Sequence, residues 1–169
     1  ALVELWRIAL PVEELFDLAA RLGADVPMCL AARTALVSGV GERLAPAPAL
    51  PPCALLLVNP GIALPTAEVF AARRGDFSPP LSAPSWTDLA GFVAALAARG
   101  NDLTDAAISL RPAIGEVLGF LRRTDGARHV AMSGSGATCF ALYDTAESAQ
   151  RAAAGVPSGW WHHAGKLLA

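Results

Sequence analysis

Apolar positions recur at helical spacing at the start of the chain, where Leu2, Leu5, Trp6 and Ala9 precede Pro11. Such positions share one helix face, and a proline ends the pattern. "PVEELFDLAARLG" predicts a second helix, with proline in its first turn, acids behind it and Gly23 as its stop. "TALVSGVGERLAP" has short apolar stretches broken by Gly39 and Gly41, the pattern of a strand and a tight turn. "APAPALPP" is proline-rich and reads as a connection between two lobes.

Beyond that connection, "CALLLVNPG" is a continuous apolar run and predicts a fully buried strand ended by Asn-Pro-Gly. "PTAEVFAARR" predicts a helix entered through Pro65, and residues 75–85 form a Pro/Ser-rich loop. "SWTDLAGFVAALAARG" predicts a helix capped by Ser85 or Thr87 and stopped by Gly100. "NDLTDAAISLRPAIGEVLGFLRR" is helical in two parts, split near Pro112. "HVAMSGSGATCFALYD" reads as strand, glycine-rich turn and strand, and "TAESAQRAAAG" as a helix capped by Thr145. "GWWHHAGKLL" is a short closing strand or tail in which Trp160 and Trp161 are packing anchors. Helices and strands mix without steady βα alternation, so the expected class is α+β, with helices on one face of an antiparallel sheet.

Composition narrows the classes. The chain has 169 residues, 54% hydrophobic and 17% charged, enough apolar surface for a core and unlike a disordered segment. A net charge of -2 leaves no basic footprint for nucleic acid. The longest apolar runs are far shorter than a membrane span of ~20 residues, so no membrane is expected. Cys29, Cys53 and Cys139 lie in apolar runs at spacings unlike a zinc site, and their odd number argues against a disulfide framework. Buried free thiols in a reducing cytoplasm are expected. His129, His162 and His163 have no ligand partners at useful spacing, so no metal site is expected. The opening residues read as a helix already inside a fold, with no signal peptide.

Two stretches are candidates for chemistry. In "RLGADVPMCLAAR" an acid, Asp25, sits among small and apolar neighbours. Taken alone it suits a helix cap first, and after that a carboxylate at a cleft floor that orients a hydroxyl proton. In "MSGSGAT", Gly134 and Gly136 let the backbone turn sharply and approach a ligand, while Ser133, Ser135 and Thr138 offer hydroxyls. A plain hairpin turn fits the same residues. Asn101-Asp102 reads as helix capping, and Phe70 as core.

In order along the chain, "LAARLGADVPMCL", "GVGERLAP", "NPGIALPTAEVF", "NDL" and "MSGSGATCFAL" resemble the GHMP small-molecule kinase superfamily. Within it they resemble the kinases of 4-diphosphocytidyl-2-C-methyl-D-erythritol, in the non-mevalonate route to isoprenoids (terpenoids). "GADVP", "GVGE" and "PT..VF" carry the narrower likeness; "SGSGAT" alone carries the superfamily. The resemblance implies that residues 1–50 end an N-terminal lobe and that 51–169 form a ferredoxin-like α/β sandwich. It implies ATP and Mg²⁺ as cofactors, a small-molecule substrate and a cytoplasmic enzyme.

The same resemblance implies residue roles. Asp25 matches the catalytic aspartate. Val40 lies near the cytidine end of the substrate, and Pro65, Thr66 and Phe70 match the stretch that contacts the cytosine, Phe70 as a stacking face. Gly134, Ser135 and Gly136 match the motif that supports the phosphate loop. The family's early lysine and main phosphate loop have no counterpart in these 169 residues, so the sequence resembles the C-terminal two-thirds of such a kinase, inactive alone. Two alternatives stay open: another GHMP small-molecule kinase, and a non-catalytic remnant binding a cytidine nucleotide or a protein partner.

Overall fold

The computed structural model describes residues 2–79 and 85–167. Part of the loop expected over 75–85, residues 80–84, lies outside that range, as does Leu168 at the end of the closing tail. The chain divides into two compact units, Ala1–Leu50 and Pro51–Leu168.

The first unit holds α1 (Leu2–Leu5), α2 (Val12–Leu22), α3 (Val26–Ala31), β1 (Ala35–Ser38) and β2 (Arg43–Pro46). The helix expected up to Pro11 is a single turn, because Arg7 takes a left-handed backbone with φ 51°. Helix α2 follows Pro11, carries Glu13 and Glu14 in its first turn and closes with the Gly23 N–H on the Ala19 carbonyl. Helix α3 starts immediately after Asp25, with Pro27 in its first turn. Strands β1 and β2 form an antiparallel hairpin in register Ala35–Pro46 to Ser38–Arg43. Leu5, Trp6, Val12, Leu22 and Val40 are each more than 60% exposed, so this unit leaves several large apolar side chains open.

The second unit is a four-stranded sheet covered by helices. It contains β3 (Ala54–Asn59), α4 (Thr66–Ala72), α5 (Leu89–Ala97), α6 (Thr104–Leu110), α7 (Ala113–Arg122), β4 (His129–Met132), β5 (Cys139–Tyr143), α8 (Ala146–Ala153) and β6 (Trp161–Lys166). The strand order is β4-β5-β3-β6, and every neighbouring pair is antiparallel. Numbered within the unit, that order is 2-3-1-4, the split βαβ arrangement of a ferredoxin-like fold. The outer strands β4 and β6 end the sheet.

Strand β3 was expected to be buried on both faces; it alternates instead. Ala54, Leu56 and Val58 are fully buried, while Leu55, Leu57 and Asn59 are half-buried. The buried side meets helices on one face only, the pattern of an antiparallel sheet. Ile114, Val117, Leu118 and Leu121 of α7 line that core with Ala141 and Tyr143 of β5 and Ala149 of α8. Val69 of α4 and Ala107 of α6 extend it.

Helix α5 is capped by Asp88, whose carboxylate accepts from the Gly91 N–H, and not by Ser85 or Thr87. Asp88 is extended immediately before the first helical residue, where a side-chain oxygen reaches the third N–H of the helix. Thr145 caps α8 through the Ser148 N–H. Trp160 packs edge-on against Phe120 with centroids 5.9 Å apart, whereas Trp161, also expected to pack, is 56% exposed on the edge strand. Cys53 and Cys139 are buried, and burial pushes the Cys139 thiol up to about 12. Cys29 is exposed, contrary to the expectation of three buried thiols, because the apolar run that carries it lies on an open face of α3.

Candidate active site

The candidate residues fall into two groups, one in each unit. In the first unit Asp25 heads α3 without capping it: its backbone is helical (φ -88°, ψ -10°) and its carboxylate makes no cap bond. A cap needs an extended backbone to turn the side chain back onto the helix, and Asp25 lacks one. The carboxylate is exposed beside small neighbours. The hairpin turn carrying Val40 approaches this segment closely. Gly41 has φ +126°, and a Cβ added to it would collide with the Ala24 carbonyl, so only glycine lets the turn sit against the residue preceding Asp25. Within the turn the Glu42 carboxylate accepts from the Val40 N–H at 2.8 Å. Its own backbone N–H and that of Val40 hold the Glu42 carboxyl below its ordinary range. Val40 itself is 83% exposed at the turn's tip.

In the second unit the structure brings Thr66 and the glycine-rich turn together. Thr66 Oγ1 and Ser135 Oγ lie 2.9 Å apart, joining the start of α4 to the turn between β4 and β5. Pro65 precedes α4 with an extended backbone. Val69 takes the core position of this helix, which leaves Phe70 51% exposed; the core assignment from sequence fails because only one of these adjacent residues can face the sheet.

The turn is built to keep its shape. Its internal backbone bonds run from the Ser133 N–H to the Thr138 carbonyl and from the Gly136 N–H to the Ser133 carbonyl. These bonds leave the N–H groups of Gly134 and Ser135 outside them. Gly136 (φ +92°) is closed in by the core: an added Cβ would lie 2.9 Å from Met132 Sδ and 3.2 Å from Leu64 Cδ2. Gly134 (φ +54°) has open space beside it. One glycine therefore packs the turn down, and the other exposes its backbone.

Side chains from distant segments fasten the turn, and sequence reading missed them. Asn59, at the end of β3, donates from Nδ2 to Thr138 Oγ1 at 2.9 Å and accepts from the Gly61 N–H at 2.8 Å. Asn101, ahead of α6, donates from Nδ2 to the Met132 and Gly134 carbonyls at 3.0 and 2.8 Å. Asp102 accepts from the Ser78 hydroxyl at 2.6 Å and the Ser78 N–H at 2.8 Å, which hold its carboxyl below the usual range. Arg111 donates from Nε to the Ala63 carbonyl at 3.1 Å, steadying the segment that leads into α4. The one sequence signal was the polar residue directly behind a buried strand or helix stop, which also fits ordinary capping.

A hollow of about 450 Å³ lies behind α4, lined by Arg73, Arg74, Asp102, Asp105 and Ser109. It contains none of the expected substrate residues. Among the described residues no three His, Cys, Asp or Glu side chains converge as metal ligands. No described helix is long and apolar enough to cross a membrane.

Comparison with known proteins places this geometry. The family model for GHMP kinases C terminal matches residues 83–161. The chain is 53% identical over 161 residues to a 4-diphosphocytidyl-2-C-methyl-D-erythritol kinase of Gluconacetobacter diazotrophicus, covering 94% of this chain and 53% of that protein. It is 49% identical to the protein of the same name from Paramagnetospirillum magneticum, covering 99% of this chain and 60% of that one. It thus spans between half and two thirds of these relatives' length. A crystal structure of 4-(cytidine 5'-diphospho)-2C-methyl-D-erythritol kinase superposes with TM-score 0.77 at 38% identity, covering 98% of this chain and 60% of the other. A homoserine kinase from Cytophaga hutchinsonii, 15% identical with TM-score 0.52 over 73% of this chain and 44% of its own, shares the fold alone. The second unit thus has the fold of a GHMP kinase C-terminal domain, the family whose model matches residues 83–161.

Proposed function

We propose that this chain supplies the C-terminal part of an ATP-dependent kinase that phosphorylates the 2-hydroxyl of 4-diphosphocytidyl-2-C-methyl-D-erythritol, a cytoplasmic step toward isoprenoid precursors. The observation that carries the reading is the fastened glycine turn joined to α4 through Ser135 and Thr66, with Phe70 exposed on the same helix. The turn and a flat aromatic face suit the two ends of a substrate that has phosphates at one point and a cytosine at another. The names of the relatives support the choice of substrate.

In this reading Phe70 offers a stacking face to the cytosine, and Pro65 and Thr66 shape the edge beside it. Val40 lies near the cytidine end. Gly134, Ser135 and Gly136 support the phosphate loop. The substrate's 2-hydroxyl oxygen attacks the γ-phosphorus of ATP, the bond to ADP breaks, and the hydroxyl proton passes to the Asp25 carboxylate. A carboxylate is a weak base at neutral pH, so Asp25 orients the hydroxyl first and takes the proton as transfer completes. Mg²⁺ bound with ATP would supply charge neutralisation at the transferring phosphate; among the described residues no three His, Cys, Asp or Glu side chains converge to hold it.

Asp25→Asn in the full-length protein tests this assignment. General-base and positioning roles are worth about 10²-fold or more, so turnover should fall by at least that while the far-UV circular dichroism stays unchanged. Near-normal turnover would remove Asp25 from the reaction.

A further inference from the structure

We infer that Asn101 is a positioning residue for the glycine-rich turn, an inference that rests on the kinase reading for its catalytic consequence. Its side chain makes three hydrogen bonds. The two Nδ2 protons go to the carbonyls of Met132 and Gly134, and Oδ1 accepts from the Leu103 N–H at 3.0 Å. Two acceptors on one side and one donor on the other fix which way the amide points.

The two carbonyls bracket Ser133, so one planar group holds the backbone on both sides of the point where β4 becomes the turn. Turning the Gly134 carbonyl toward Asn101 points the N–H of the same peptide, that of Ser135, away from it and out of the turn's internal bonds, while the peptide of the Met132 carbonyl presents its Ser133 N–H to the Thr138 carbonyl. Thr66 holds the apex at Ser135, and Asn59 holds the exit at Thr138. Asn101 alone fastens the entry among these three.

No other side chain of similar size does this. Aspartate keeps the acceptor for Leu103 but sets a carboxylate oxygen against two carbonyls. Serine has one donor where two are needed, and glutamine is one methylene too long. Asn101 acts through the turn and does not itself touch the substrate in this account.

The test compares Asn101→Asp and Asn101→Ser with the wild type in the full-length protein, by amide hydrogen exchange and by steady-state kinetics with ATP and the cytidylyl alcohol. In Asn101→Asp, exchange at the bonded Ser133 and Gly136 amides should rise at least about tenfold, with β3, β5 and α6 unchanged, since the Leu103 bond survives. The rate kcat or the KM for ATP should worsen by at least about tenfold, while KM for the alcohol stays within about twofold. Asn101→Ser, with one donor, should fall between. Unchanged exchange at the Ser133 and Gly136 amides overturns the inference whether or not the protein is a kinase. Faster exchange with unaltered kinetics in an active kinase overturns its catalytic part. A wild type that fails to phosphorylate the alcohol sinks the kinase reading, and the exchange result then decides the structural claim alone.

Discussion

Asp102 stands next to Asn101 and does for the segment after α4 what its neighbour does for the turn. Its carboxylate takes both the hydroxyl and the N–H of Ser78, and these bonds favour the charged form. A carboxyl whose folded pKa is depressed contributes order that is present above its ordinary value, about 3.9, and is lost as pH falls through the depressed one. The Ser78 amide should therefore keep its protected chemical shift below pH 4 and lose it only in more acid solution, as NMR would read. In Asp102→Asn that acid transition should vanish; a transition at the ordinary aspartate value in the wild type would contradict the contact. Single residues were unevenly legible. Thr145 announced its cap because a hydroxyl before an acid-bearing helix has one common use. Asn101 and Asn59 did not, because an asparagine after a glycine or before a proline fits a local turn equally well, and their partners lie 31 and 79 residues away. Phe70 misled because aromatic character signals burial in general, while the adjacent Val69 holds the one inward position.

At the scale of elements, β3 is the centre of the second unit. It pairs with β5 on one side and β6 on the other, and its inward residues meet α7 and α8. Leu56 is completely buried between them. Leu56→Ala removes several methylenes from a closed core and should cost about 3 kcal/mol, read as a lowered urea midpoint with an unchanged slope. A cost under about 1 kcal/mol would mean this core repacks freely. Sequence periodicity located β3 but not its one-sidedness: an unbroken apolar run reads as burial on both faces, and only the pairing shows that one face of Leu55 and Leu57 stays half open. The glycine turn and its flanking strands were legible as a hairpin because the breakers stand between two apolar runs. The strand order was not, since it depends on β5 inserting between β4 and β3.

For the whole molecule, the proline-rich stretch marks the change from one compact unit to the other at Leu50 and Pro51. The second unit has a closed core and carries the GHMP kinase C-terminal domain. The first carries Asp25, the Val40 turn and most of the exposed large apolar side chains. Motif order along the chain made the family legible, since "GADVP", "PT..VF" and "SGSGAT" fall in sequence, whereas the clamps on the turn needed coordinates. The most direct measurement of the central claim incubates the full-length protein with ATP, Mg²⁺ and 4-diphosphocytidyl-2-C-methyl-D-erythritol and follows phosphorus NMR. A new phosphomonoester on the substrate's 2-oxygen, growing in step with ADP, is expected. No phosphomonoester on that alcohol, with homoserine or a mevalonate derivative phosphorylated in its place, would contradict it.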